Sequence, residues 1–135
     1  MGFSNICRIV TFKLPLQILK LIMEKIREII AYKNYFEDFL NEQPIKVQNK
    51  IFKILEAIET LERIPTNYLK LIVGTSSLYE ARIQLGSDIW RVFCFFDKGK
   101  LVILLNGFQK KTQKTPKHEI EKAITLMKEY YENRK

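Results

Sequence analysis

The sequence predicts one α+β domain with the order β-α-α-β-β-β-α, helices packed on a small antiparallel sheet. Three features carry this. A run of strands joined by Gly86-Ser87 and Lys98-Gly99 occupies residues 78–106. An apolar stripe at three- and four-residue spacing precedes it, and a second follows Pro116. At 135 residues, 47% of them apolar, the chain has enough material for a single core.

The first strand is Ile26-Arg27-Glu28-Ile29-Ile30-Ala31-Tyr32, rich in β-branched residues. Asn34 is a suitable N-cap for a short helix over residues 35–41, with Phe36, Phe39 and Leu40 apolar. Pro44 suits the first turn of a second helix. Val47, Ile51, Ile54, Leu55, Ile58 and Leu61 give that helix one apolar face, and Pro65 follows its end. Residues 65–77 read as loop. The strands Leu78–Leu85, Ile89–Phe96 and Lys100–Asn106 then form a meander, and Pro116 opens the last helix, with Ile120, Ala123, Ile124, Met127 and Tyr131 on one face.

Residues 1–22 differ from the rest. They carry Arg8, Lys13 and Lys20 and no acid, and their apolar run is too short to span a bilayer and lacks the build of a secretory signal. They read either as a short amphipathic appendage or as translated upstream sequence with the natural start at Met23. The clean strand just after Met23 favours the second, with the domain proper at residues 23–135. Cys7 and Cys94 make no disulfide framework; Cys94, in an aromatic strand, reads as a core residue, and a reducing cytosol is expected.

The formal charge of +8 favours a polyanionic partner. The cations concentrate in Asn106-Gly107-Phe108-Gln109-Lys110-Lys111-Thr112-Gln113-Lys114-Thr115-Pro116, which has three lysines and no acid. A two-residue Gly86-Ser87 turn pairs Leu85 with Asp88 and sets Arg82 opposite Arg91, whereas a three-residue Gly86-Ser87-Asp88 turn would separate the two arginines. A two-residue Lys98-Gly99 turn would pair Asp97 with Lys100, Phe93 with Leu104 and Arg91 with Asn106. Alternation then places Asn106, Phe108 and, if the strand persists, Lys110 on the face of Arg82 and Arg91. The other face would hold Tyr79, Ala81, Ile83, Trp90, Val92, Cys94 and Phe96 with Leu101, Ile103 and Leu105. Facing arginines repel by about 0.2–1 kcal/mol, and a bound phosphate would reverse the sign. The competing reading is that Glu80 neutralises Arg82 and the lysines form a solvated rim.

These residues resemble the RelE/HigB-type toxins of bacterial type II toxin–antitoxin pairs. The resemblance is carried by Leu78-Tyr79-Glu80-Ala81-Arg82, Trp90-Arg91-Val92-Phe93, Phe95-Phe96-Asp97, the Val102–Pro116 block and Glu119–Ala123, over Met23 to about Tyr131. It implies a RelE-like fold and a metal-independent endoribonuclease, without cofactor, that cuts mRNA in the ribosomal A site. The ribose 2′-OH attacks the adjacent phosphate. It also implies a cognate antitoxin, commonly of the helix-turn-helix type, and a cytoplasmic protein with no membrane partner. Carried over by position, Arg82, Arg91, Lys110 and Lys111 would be catalytic. Asn106, Phe108, Thr112 and Lys114 would hold RNA, and His118 and Tyr130 are candidate acid or base groups. The general base stays open. A non-catalytic ParE-like toxin acting on DNA gyrase is the alternative, though the lysine-rich block is foreign to it. No glycine-rich phosphate loop, nucleophile elbow or metal-ligand set appears in the sequence.

Overall fold

The computed structural model describes residues 15, 16, 18 and 25–134. The expected extension at residues 1–22, and with it the start at Met23, lies almost wholly outside the described residues. From residue 25 the order is β1 (Glu28–Ala31), α1 (Tyr35–Asn41), α2 (Ile45–Thr60), β2 (Leu69–Leu71), β3 (Tyr79–Leu85), β4 (Asp88–Asp97), β5 (Leu101–Lys110) and α3 (Lys117–Arg134). The five strands form one sheet in the order β1-β5-β4-β3-β2, with β1 parallel to β5 and the other neighbours antiparallel. The α+β fold expected from the sequence is present, with two differences: β1 joins the otherwise antiparallel sheet as a parallel edge strand, and the loop gains a strand. Residues 65–77 contain β2, a three-residue Leu-Lys-Leu strand too short for its alternation to stand out from loop.

The helices form where the apolar spacing places them. Val47, Ile51, Ile54, Leu55 and Ile58 of α2 are buried, whereas Leu61 has left the helix and is partly exposed. Pro44 stands at the N-cap, where its missing N–H is no loss. Asn34 precedes α1, but its side chain makes no capping bond; its backbone carbonyl accepts from Asp38 instead. Arg27 closes the far end of α2: its guanidinium donates to the carbonyls of Ile58, Leu61 and Glu62, acceptors that the helix itself leaves unpaired.

Both faces of the sheet are covered. Against α1 and α2 lie Ala81, Ile83, Trp90, Val92, Cys94, Val102 and Leu104. Against α3 lie Phe93, Phe95, Ile103, Leu105 and Phe108. Leu101, Ile103 and Leu105 thus sit on the α3 face, not with Trp90 and Val92 as the assumed register required. Burial of Cys94 pushes its thiol up to about 12, in keeping with an inert core residue.

The reason is two one-residue shifts on β5. Lys98, Gly99 and Lys100 form a three-residue turn, with Lys98 and Gly99 at positive φ, so Asp97 pairs with Leu101 instead of Lys100. A bulge then intervenes between the Cys94–Leu104 and Val92–Gly107 pairs, leaving Leu105 and Asn106 together opposite Phe93. Leu105 faces α3, and so does Asn106, whose amide donates to Glu119. Beyond the bulge Arg91 pairs with Phe108 and Ile89 with Lys110. Asn106, Phe108 and Lys110 still reach the face of Arg82 and Arg91, because the two shifts together preserve parity.

The C-terminal end of α3 is tied to the sheet by charged hydrogen bonds. Asp97 accepts from Tyr130 at 2.7 Å and from Arg134; Glu129 accepts from Tyr32 at 2.6 Å and from Lys33 at 2.8 Å. The Tyr130 hydroxyl and then Arg134 hold the Asp97 carboxyl below its ordinary value, and Lys33 and Tyr32 do the same for Glu129.

Two outcomes follow from this packing. A Cβ on Gly107 would stand 2.6 Å from the ring of Phe39 in α1. Gly107→Ala is expected to cost about 1–3 kcal/mol in urea unfolding, as an overpacked core does; an unchanged midpoint would show that Phe39 moves freely. The depressed carboxyl values also fix a sign. Their stabilisation is complete above the ordinary values of 3.8 for Asp97 and 4.5 for Glu129 and is lost as pH falls below them. Asp97→Asn should therefore lower Tm at neutral pH and flatten its fall on acidification, read by circular dichroism. A Tm fall as steep as the parent's would remove Asp97 from the acid response.

Candidate nucleic-acid interface

Strand pairing puts Arg82 directly opposite Arg91, as the Gly86-Ser87 turn requires, with Gly86 at φ 65°. Their repulsion is relieved by Glu80, two residues before Arg82 and on the same face. One carboxylate oxygen, Glu80 Oε2, lies 3.4 Å from Arg82 Nε and 3.4 Å from Arg91 Nε. Glu80 therefore neutralises Arg82, as the competing reading held, but it is shared with a second arginine. The shared carboxylate leaves net positive charge on the pair.

Arg91 is only 4% exposed. Its Nη1 donates to the Trp90 carbonyl, while the contact of Nε with Glu80 falls outside hydrogen-bond geometry and leaves that nitrogen unpaired. Burial lowers its pKa, with Glu80 opposing and Arg82 adding to the fall; a guanidinium stays charged even so. Asn106 donates through Nδ2 to the carboxylate of Glu119 at 3.0 Å and to its backbone carbonyl at 3.3 Å. Its Oδ1 is buried without a partner. Two orphaned polar atoms in one cluster are costly unless something else meets them.

Lys110, at the end of β5, completes the cluster. Burial lowers its pKa first, and the charge of Arg91 lowers it further against the pull of Glu80. Lys70, which β2 places opposite Glu80, adds another cation. Sequence reasoning missed Lys70 because it missed β2, and missed Glu119 because its partner Asn106 is turned toward α3 only by the bulge. A groove of about 460 Å³ opens here, with Lys70, Glu80, Arg82, Lys110 and Lys114 along it and Ile120 at the start of α3. The N-terminal end of that 18-residue helix adds a partial positive charge nearby.

The remaining expected residues fall into two groups. Lys111, Thr112 and Lys114 are exposed beyond β5, and the Thr112 hydroxyl donates to the Lys114 carbonyl, shaping the turn that holds Lys114 at the groove. His118 is exposed, its side chain 78% accessible and 3.6 Å from Glu119. Three expected residues do not present themselves to RNA, Asn106 among them, since it is 3% exposed and its amide is taken up by Glu119. Phe108 is buried against Phe93, with ring centroids 5.5 Å apart, because the sheet face it occupies is covered by α3. Tyr130 bonds Asp97 at the opposite end of β4 from Arg91, and desolvation followed by Asp97 raises its pKa. Six residues of strand, about 20 Å, separate Asp97 from Arg91. Tyr130 is part of the α3 attachment and not of the cluster. Among the described residues no group of His, Cys, Asp and Glu is gathered as a metal ion would need. No described helix is long and apolar enough to cross a membrane.

The basic groove thus lies at one end of a five-stranded α+β sheet. The sequence pattern of phage derived protein Gp49-like (DUF891) matches residues 38–128, about two thirds of the chain. The chain belongs to that family. No curated protein matches it. Among solved structures it is similar to a chain of the archaeal RelE-RelB complex from Pyrococcus horikoshii OT3. There the identity is 20% over 62% of this chain and 94% of that one, with a TM-score of 0.47. A chain of the RelB-RelE antitoxin-toxin complex from Methanococcus jannaschii matches with 18% identity over 64% of this chain and 99% of that one, TM-score 0.46.

Glu80→Gln keeps the shape of the cluster and removes its only bridging charge. Unfolding in urea should show a loss approaching, but below, the about 3–5 kcal/mol of a broken buried pair, since Arg82 is partly exposed. Added pyrophosphate should restore more stability to the variant than to the parent. Equal gains in both would show that the arginines do not hold the anion.

Proposed function

We propose that this protein is the toxin of a type II toxin–antitoxin pair and acts as a ribosome-dependent mRNA endoribonuclease. The observation that supports this most is the pair of arginines held face to face by one shared carboxylate, with Lys110 beside them at the mouth of a groove. Neutralising a side chain needs one acid for one cation. Two guanidinium groups on one carboxylate, with two lysines next to them, instead suit a group bearing more than one negative oxygen.

In this reading the scissile phosphate takes the place of the Glu80 contact. The ribose 2′-oxygen attacks phosphorus, the bond from phosphorus to the 5′-oxygen breaks, and a 2′,3′-cyclic phosphate remains. Arg82 and Arg91 neutralise the charge that builds on the pentavalent phosphorus. Glu80, the one carboxylate lining the groove, takes the 2′-proton as the arginines turn to the phosphate. Lys110, whose proton is loosened by burial and by Arg91, supplies the proton to the departing 5′-oxygen. Lys70, Lys111 and Lys114 hold the flanking backbone, and Asn106 fixes the start of α3 against β5 through Glu119. All of these groups come from the chain itself, and the reaction runs in the cytoplasm on translating ribosomes. A helix-turn-helix antitoxin would silence it by laying acidic side chains over Arg82 and Lys110.

Induced expression should arrest growth and produce new mRNA 5′ ends at codon spacing. Arg82→Ala and Lys110→Ala should each slow cleavage by about 10²–10³-fold, as loss of a preorganised charge does, with unchanged circular dichroism. Growth arrest without new mRNA ends would favour a non-catalytic action such as gyrase poisoning. Full toxicity in both variants would remove the cluster from the mechanism.

A further inference from the structure

Arg82 borders a second hollow besides the groove. It is a cavity of about 170 Å³, lined by Asn67, Arg82, Ile83, Gln84 and Arg91. Glu80, which lines the groove, does not line this cavity, nor does any other carboxylate. Arg91 lines the cavity and not the groove. It is 4% exposed, and its Nε is buried without a hydrogen-bond partner. The edge of β3 supplies a further donor. The Arg82 N–H donates to the Tyr68 carbonyl at 2.8 Å, on the side of β2. Two residues on, the Gln84 N–H points the same way, past Leu69 where β2 begins. The side-chain amide of Gln84 donates to the Gly86 carbonyl at 3.2 Å, leaving the main-chain N–H as the donor this residue can offer. Asn67 is carried to the rim by a turn in which Tyr68 and Leu69 both donate to the Pro65 carbonyl.

We propose that this cavity is a second phosphate subsite, which takes the phosphate next along the RNA from the one being cut. The proposal rests on reading Arg82 and Arg91 as an RNA site and adds Asn67 and Gln84 to the residues that hold the strand. Size and charge both point to a phosphate group. The volume falls below the about 300–1,000 Å³ of pockets that enclose a whole small molecule, yet is several times the about 30 Å³ of one water. Two guanidinium groups with no acid beside them select an anion, and their forks match phosphate oxygens. A backbone N–H and an asparagine amide are the neutral donors that commonly complete such a contact. None of these groups reads a base, so the subsite fixes the position and direction of the strand and leaves base choice to other contacts. Arg82, which lines both hollows, stands between the two phosphates.

The full-length protein should be titrated by calorimetry with three 2′-O-methyl adenosine dinucleotides, which cannot be cut. One has only its internal phosphate, one adds a 5′-phosphate and one adds a 3′-phosphate. A single one of the two added phosphates should tighten binding by about tenfold, the gain of one charge-assisted contact. Asn67→Asp, which exchanges an amide for a carboxylate in an exposed turn, should abolish that gain. Binding of the unphosphorylated dinucleotide should change by less than about twofold, since water and salt screen the new charge from the groove. No gain at either end would overturn the subsite. Equal gains at both ends that survive Asn67→Asp would show general attraction to a basic surface and overturn it too. In either case, cellular mRNA cleavage that is lost in Lys110→Ala would leave the ribonuclease reading standing. Binding of inorganic phosphate with none of the dinucleotides bound would assign the cavity to a free anion, and both readings would fall.

Discussion

One shared carboxylate organises the cationic end of the sheet. Arg82 and Arg91 are forced together by strand pairing, and among the described residues Glu80 is the carboxylate that offsets their repulsion. Strand spacing supplies all three residues: Glu80 and Arg82 lie two apart on β3, and Arg91 is the cross-strand partner of Arg82. A sheet gains nothing from such a pair; Thr or Val at either position would avoid both the repulsion and the cost of burying Arg91. Placing the charge beneath a groove, with Lys110 drawn into the same field, suits the proposed entry of an anion.

The bulge on β5 is the second constraint. Strict alternation would point Asn106 toward α1 and α2 and leave Gly107 on the α3 side. The extra residue keeps both Leu105 and Asn106 on the α3 face, so that one completes the core and the other ties α3 to β5 through Glu119. It also puts Gly107 beneath Phe39, where no side chain would fit. The same element therefore fixes helix docking on both sides of the sheet and carries Lys110 to the cluster. The distant end of α3 is secured differently, by Asp97 and Glu129 receiving charged and phenolic donors.

Legibility of the fold followed how local each signal was. The β3–β4 register was readable as far as the two-residue Gly86-Ser87 turn could be preferred to a three-residue turn ending at Asp88, and the positive φ of Gly86 and the pairing of Arg82 with Arg91 bear out the shorter one. The β4–β5 register was not, because Lys98 adopts positive φ without being glycine and because nothing in Leu105-Asn106 announces a bulge. The check on face polarity also failed for β5. It assumed one wet face, whereas α3 makes the second face apolar as well, so Leu101, Ile103 and Leu105 satisfied the wrong side. Phe108 was misread for the same reason, being a core residue among charged neighbours. Lys70 and Glu119 needed tertiary structure: one sits on a three-residue edge strand, the other meets its partner only across the helix–sheet interface.

For the proposed cleavage a phosphate must replace the Glu80 contact between the two guanidinium groups. A structure of the protein on a ribosome carrying mRNA with a 2′-deoxy sugar at the cut would test this without turnover. The scissile phosphate should lie within hydrogen-bond distance of Arg82, Arg91 and Lys110, with Glu80 turned toward the sugar. A phosphate track that bypasses these side chains, with Glu80 still holding both arginines, would contradict it.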